Sequence, residues 1–231
     1  DNWKLKTDAA EVWLERSDGQ YWDGSKWVDS APQIWLVATS SYTDYATWTY
    51  KISYPTVAWT SGGKYKVVSR VTDAATNLKT YSSTATFKYD TDLPQTFYVT
   101  PSTVVKIVSD LPTISGTASA DAVTVKLSIE RLPGQTKPFW SAVTDNWVAD
   151  REWFKATVSG AVDWKYSNSK FADKTAWTTN TTYFVAAKAI DDATNEGPVS
   201  SSGTFIFDNK VPASAVVHPK ADAFYKSGLS T

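Results

Sequence analysis

The chain has 231 residues, with 23 Lys plus Arg against 24 Asp plus Glu scattered along it, so no basic face is offered to nucleic acid or to an anionic membrane. Cysteine is absent, which excludes disulfides and thiolate metal sites and leaves stability to burial, for which 12 Trp, 12 Tyr and 9 Phe supply the material. No apolar run is long enough to span a bilayer as a helix, no charged-then-apolar leader opens the chain and no Met occurs; the expectation is a soluble, mature or excised prokaryotic segment, extracellular or on the cell surface, with no membrane insertion.

Alternation with a period of two dominates, and helical periodicity is hard to find. Val12 and Leu14 mark an early strand that ends in Glu15-Arg16 and a turn. The stretch from Tyr21 to Trp27 then places Asp23-Gly24 between aromatic arms, a pair that adopts the positive φ of a tight hairpin. Strands are expected around Trp35 to Thr39 and Trp48 to Ile52, followed by a sharper one with Tyr65, Val67, Ser69 and Val71 on one face. A last strand holds Phe87 and Tyr89 and ends at Asp90 before Pro94.

The pattern is then written again. Val123, Val125, Leu127 and Ile129 alternate ahead of Glu130-Arg131, and a longer, proline-interrupted loop from Pro133 to Trp147 replaces the tight hairpin. Strands follow around Trp153 to Thr157 and Trp164 to Tyr166, then Tyr183, Val185, Ala187 and Ala189, then Phe205 and Phe207 before Asp208 and Pro212. Trp35 and Trp153, Trp59 and Trp177, Asp73 and Asp191, Phe87 and Phe205, and Pro94 and Pro212 are all 118 positions apart, as 153 is from 35. One structural unit is therefore present in tandem. Residues 213–231 match 95–113, the opening of the second copy, whereas the first copy has no such opening. The reading is all-β: two tandem immunoglobulin-like β-sandwiches over residues 1–94 and 95–212, the first lacking its opening strand. Residues 213–231 are then the opening strand of a following repeat or a donor strand for the next subunit.

A Trp, then Tyr-x-Val, then Asp73 to Asn77 (Asp-Ala-Ala-Thr-Asn) or Asp191 to Asn195 (Asp-Asp-Ala-Thr-Asn), then an aromatic strand closing in Asp before a proline, resembles the bacterial immunoglobulin-like and fibronectin-III-like tandem repeats of large secreted or cell-surface proteins. The likeness covers nearly the whole chain twice. Such repeats usually carry Gly where Ala75-Thr76 and Ala193-Thr194 stand. The resemblance implies the sandwich fold; spacing, adhesion and polymerisation all use it.

Tyr65 and Tyr183 open alternating strands, where a tyrosine hydroxyl bonds back to the preceding loop as a corner lock. Trp35, Trp48, Trp59, Trp153, Trp164 and Trp177 recur in both copies and read as core. Trp22, Trp27, Trp140 and Trp147 lie in or beside the variable loop; there they stack on glycans or a neighbouring subunit, or simply pack the loop. Asp73, Asn77, Asp90 and Asp92, with Asp191, Asp192, Asn195 and Asp208, come from two loops per copy that either converge as hard oxygen ligands for Ca²⁺ at a domain pole or cap turns through their own backbone. His218 is the sole histidine and lies in the tail, and no phosphate-cradling glycine loop is present, so no enzyme is expected. Asn180-Thr181-Thr182 is an acceptor pattern for N-glycosylation.

Two function classes remain. One is a structural subunit or repeat of an extracellular filament, joined head to tail to copies of itself or to adjacent repeats. The other is an adhesin or carbohydrate-binding repeat. For the first, a sheet edge without its opening strand is costly, and Val216, Val217, Phe224, Tyr225 and Leu229 give the tail the apolar points to fill it in the following subunit. The same contact arises if the tail begins a third domain of one long polypeptide.

Overall fold

The computed structural model describes residues 5–29, 34–40, 48–52, 59–73, 75–101, 107–132, 134–160, 162–199, 201–216 and 224. The chain divides into two compact units, residues 1–93 with 193–195, and residues 94–192 with 196–231.

The first unit contains β1 (Leu5–Arg16), β2 (Tyr21–Trp22), β3 (Trp27–Val28), β4 (Leu36–Val37), β5 (Thr39–Ser40), β6 (Trp48–Thr49), β7 (Lys64–Asp73) and β8 (Leu78–Lys88). Its larger sheet runs β3-β2-β1-β7-β8, with β4 also on β1, while β5 and β6 pair as a separate two-stranded sheet. Alternation decides the faces. Val12 and Leu14 turn inward and are buried with Ala10, Trp22 and Ala38, and Val67 and Val71 of β7 pack on them. Trp13 points the other way yet is also buried, edge-on to Trp35 at a centroid distance of 6.2 Å.

The second unit contains β9 (Thr96–Thr100), β10 (Ile107–Val108), β11 (Thr113–Ala118), β12 (Ala122–Leu132), β13 (Phe139–Ser141), β14 (Asn146–Val148), β15 (Phe154–Lys155), β16 (Thr157–Ser159), β17 (Asp163–Ser167), the short helix α1 (Ser169–Ala172), β18 (Thr181–Asp191) and β19 (Ser201–Phe207). One sheet runs β10-β19-β18-β12-β13-β14 with β15 on β12, and the facing sheet runs β16-β17-β11-β9. Val125, Leu127, Ile129, Tyr183, Val185, Ala187 and Ala189 are fully enclosed between them. This is an all-β sandwich of the immunoglobulin-like kind, with a parallel β10 lying along the last strand through Ile107 and Ile206.

Local chemistry explains several expected features. Tyr65 Oη accepts from the Thr60 amide at 2.8 Å and Tyr183 Oη from the Thr178 amide at 2.7 Å, so both corner locks form. In the hairpin between β2 and β3, Gly24 adopts φ of 102°, and the Asp23 carboxylate accepts from the Ser25 and Lys26 amides. Where the resemblance leads one to expect glycine, Thr76 and Thr194 themselves take left-handed φ of 70° and 67°. A β-branched residue is rare there, so these turns hold strain that glycine would not.

Two readings are corrected. Val123 does not share the inward face of Val125: the register shifts between Ala122 and Thr124, and Val123 is left 47% exposed. The stretch from Pro133 to Trp147 is not all loop, because Phe139 to Val148 pair as a second hairpin. Among the described residues the smaller sheet of the first unit pairs β5 with β6, while the corresponding sheet of the second unit runs β16-β17-β11-β9.

The two units make a matched pair for mutation. Phe205 is 1% exposed, and truncating it to Ala is expected to destabilise the second unit by about 3–5 kcal/mol. Its counterpart Phe87 is 38% exposed, and Phe87→Ala is expected to cost less than half as much, measured by hydrogen exchange of the β18 and β7 amides respectively.

Candidate functional site

The site is the inward face of β8. Trp59, Tyr65 and Phe87 form an aromatic cluster, with Trp59 at 4.8 Å from Tyr65 and 5.2 Å from Phe87, and Tyr65 stacked on Phe87 at 5.4 Å. Trp177, Tyr183 and Phe205 reproduce it at 4.9, 5.6 and 5.3 Å. The geometry is the same and the exposure is not. Gly203, Phe205 and Phe207 are buried, whereas their counterparts Ala85 and Phe87 are exposed and Tyr89 is half-buried.

The cover in the second unit is β9. Thr96 is fully buried and its hydroxyl donates to the Ala187 carbonyl at 3.0 Å. Tyr98 lies on Gly203 so closely that a Cβ there would stand 2.2 Å from Tyr98 Cε1. Its hydroxyl is buried and meets no hydrogen-bond partner among the described residues, and burial raises the Tyr98 phenol well above the ordinary tyrosine value. The exposed face of β8 could not be read from the sequence as a surface, because Phe87 has the alternation of a core residue. The out-of-phase repeat was the signal that pointed there.

Of the tail residues expected at a subunit contact, Val216 is 79% exposed and Phe224 fully exposed; Val217, Tyr225 and Leu229 lie outside the described residues.

The tryptophans expected to form a ligand platform are instead mostly core. Trp22, Trp140 and Trp147 are buried, and Trp27 is half-buried against Trp22, Trp59 and Tyr65. Both hairpins fold their aromatic arms onto the sandwich, and Arg131 covers Trp147 at 4.3 Å, so little ring face is left for a sugar. Trp35 and Trp153, read as core, lie on the outer face beneath cations. Arg70 sits 4.1 Å above Trp35 and pairs with Glu11 at 2.6 Å, while Lys188 sits 4.3 Å above Trp153 and pairs with Glu196. Lys188 and then Lys126 hold the Glu196 carboxyl below its ordinary range. Trp48 and Trp59 are half-buried, and Trp164 and Trp177 are core as expected.

The carboxylates do not gather within a unit. Antiparallel pairing sets Thr181 opposite Phe207, so Asp208 lies at the start of β18 and Asp191 at its far end; Asp73 and Asp90 stand at opposite ends of β7 and β8 for the same reason. Asp90 accepts from Lys88 Nζ, the Asp92 amide and Ser61 Oγ, and the Lys88 contact chiefly holds its carboxyl below the usual range. Asp208 accepts from the Lys210 amide and Thr179 Oγ1, which depress its carboxyl likewise. Asp191 is buried, Asn77 and Asp192 are exposed and Asn195 is half-buried. Among the described residues no group of three or more His, Cys, Asp or Glu could hold a metal ion.

No protein-family model matches the chain, and no curated protein matches it. Among solved structures it is similar to the fibronectin(III)-like modules of Clostridium thermocellum CbhA, with 12% identity and a TM-score of 0.35 over 92% of this chain and 86% of that one. It is also similar to the FN1–FN3 domains of chicken CNTN1, with 9% identity and a TM-score of 0.32 over 89% of this chain and 58% of that one.

Two predictions follow from these environments. Since the folded pKa of Tyr98 lies above the unfolded value of about 10, its neutral phenol supports the fold fully below that pH, and the support is lost as pH rises above it. Tyr98→Phe is expected to stabilise the second unit by about 1–3 kcal/mol at neutral pH by removing an unpartnered hydroxyl, and to move alkaline unfolding to higher pH. Asp208→Ala is expected to lower the melting temperature by the same amount in calcium and in chelator, because the carboxylate caps its own turn.

Proposed function

We propose that the chain is a structural repeat of an extracellular prokaryotic fibre or surface array, in which the first unit is completed by a segment added from the next copy. The observation that carries this reading is the exposure of Ala85 and Phe87 on β8 where Gly203 and Phe205 are buried beneath β9. Among the described residues β8 is also the end strand of its sheet, where β19 has β10 beside it; an open sheet edge is a template for β-augmentation, and augmentation repeated head to tail gives an open filament. Residues 213–231 are the natural candidate because they match 95–113, which contains β9 and β10. Among the described residues no helix is long and apolar enough to cross a membrane.

A covalent array of many such units would use the same contact. A carbohydrate-binding role has less support, since Trp22, Trp140 and Trp147 are committed to the core.

Denaturing electrophoresis of intact assemblies separates the two structural forms. Head-to-tail donation predicts a single band near the 25.5 kDa of this chain and loss of assembly when residues 213–231 are deleted. A band several times larger, or a truncated chain that still polymerises, would overturn donation.

A further inference from the structure

The open face of β8 and the covered face of β19 differ in side-chain size at one crowded position. In the second unit the Tyr98 ring occupies the space above Gly203 that any other side chain would need, with ring atoms 2.2, 2.7 and 3.0 Å from where a Cβ would stand. The repeat spacing of 118, the separation of Phe87 and Phe205, puts Ala85 at the place of Gly203 and Val216 at the place of Tyr98. The acceptor has gained a methyl group at the position where the candidate donor has lost a ring. A second position agrees. Thr96, whose hydroxyl donates to the Ala187 carbonyl, is matched by Ser214, and Ala187 is matched by Ser69, so donor hydroxyl and acceptor carbonyl are both retained. Ser214 and Val216 are themselves exposed and outside any strand.

We infer that the face formed by β7 and β8 docks residues 213–231 of a second copy in one register, with Val216 over Ala85 and the Ser214 hydroxyl on the Ser69 carbonyl, and that it rejects the β9-type segment of residues 95–113. The inference rests on the reading that an added segment completes the first unit, and it names the occupant and its register. The register applies from Ser214 onward. Upstream, the second unit relies on Gly197, where a Cβ would stand 1.8 Å from the Pro94 carbonyl oxygen, and the first unit has no glycine at the matching position 79, so the register is not extended before Ser214.

The rejection has a consequence for assembly. A face that admits valine but not tyrosine and a face that admits tyrosine on glycine keep the two kinds of unit in alternation, because a β9-type strand straying onto the first unit meets the Ala85 methyl. Overpacking of that kind weakens binding by about tenfold or more.

The test uses fluorescein-labelled peptides of residues 213–231, unmodified or carrying Val216→Tyr, and a peptide of residues 95–113. Each is titrated by anisotropy against the full chain at concentrations where it sediments as a monomer. The unmodified 213–231 peptide is expected to bind. The Val216→Tyr and 95–113 peptides are expected to bind the unmodified chain at least about tenfold more weakly. In the full chain carrying Ala85→Gly, which must keep the unmodified circular dichroism, the Val216→Tyr peptide is expected to recover to within about threefold of the unmodified pair, the residual set by the added glycine entropy. Equal binding of the unmodified and Val216→Tyr peptides, or no recovery with Ala85→Gly, overturns the register while the docking reading stands. Failure of every peptide to bind overturns the docking reading as well.

Discussion

The stack of tryptophan, tyrosine and phenylalanine on the inward face of the long sheet is the interaction on which the rest of each unit depends. Trp177, Tyr183 and Phe205 sit within about one ring diameter of each other, and the Tyr183 hydroxyl ties the stack to the loop before its own strand. Without cysteine, no covalent staple substitutes for this packing. The antiparallel strand pairs that carry the stack, β7 with β8 and β18 with β19, are long ladders, so register and burial are fixed by the same residues.

A stack of this size needs a cover on its open side. In the second unit β9 supplies it, at the expense of a buried phenol with no partner among the described residues and a glycine whose place no larger residue could take. The glycine is where the Tyr98 ring lies directly against the backbone of β19, and the buried hydroxyl, which meets no partner among the described residues, marks how tightly that crowding is drawn. In the first unit the same stack keeps its shape with one side exposed, held by the corner lock and the sheet pairing. In the proposed assembly, a preorganised face of this kind would bind an added strand without first having to order its own side chains.

The outer faces are built by a different rule. Glu11, Arg70 and Trp35 in one unit, and Lys126, Glu196, Lys188 and Trp153 in the other, alternate charge and ring across neighbouring strands. Exposed ion pairs contribute little individually, but a cation lying flat on an indole shields apolar surface while keeping its charge in water. This lets both faces of the long sheet carry tryptophan without presenting a broad apolar patch. It also accounts for why recurrence in both copies was a good guide to structural importance and a poor one to which side of the sheet a tryptophan faces.

The sequence by itself determined the all-β class, the tandem copies, the corner tyrosines and the inward residues of the long strands, because each follows from alternation or from spacing along the chain. Only the tertiary structure decided what those residues face. Whether Trp22, Trp140 and Trp147 present a ring to solvent depends on how a hairpin folds over a sheet, and whether Asp191 and Asp208 meet depends on the direction of antiparallel strands; neither is a local property. Phe87 and Phe205 make the point most directly. Their strands are paired in the same way and their rings stack at nearly the same distances, yet one is covered and one is not, because burial is conferred by a segment that lies elsewhere in the sequence.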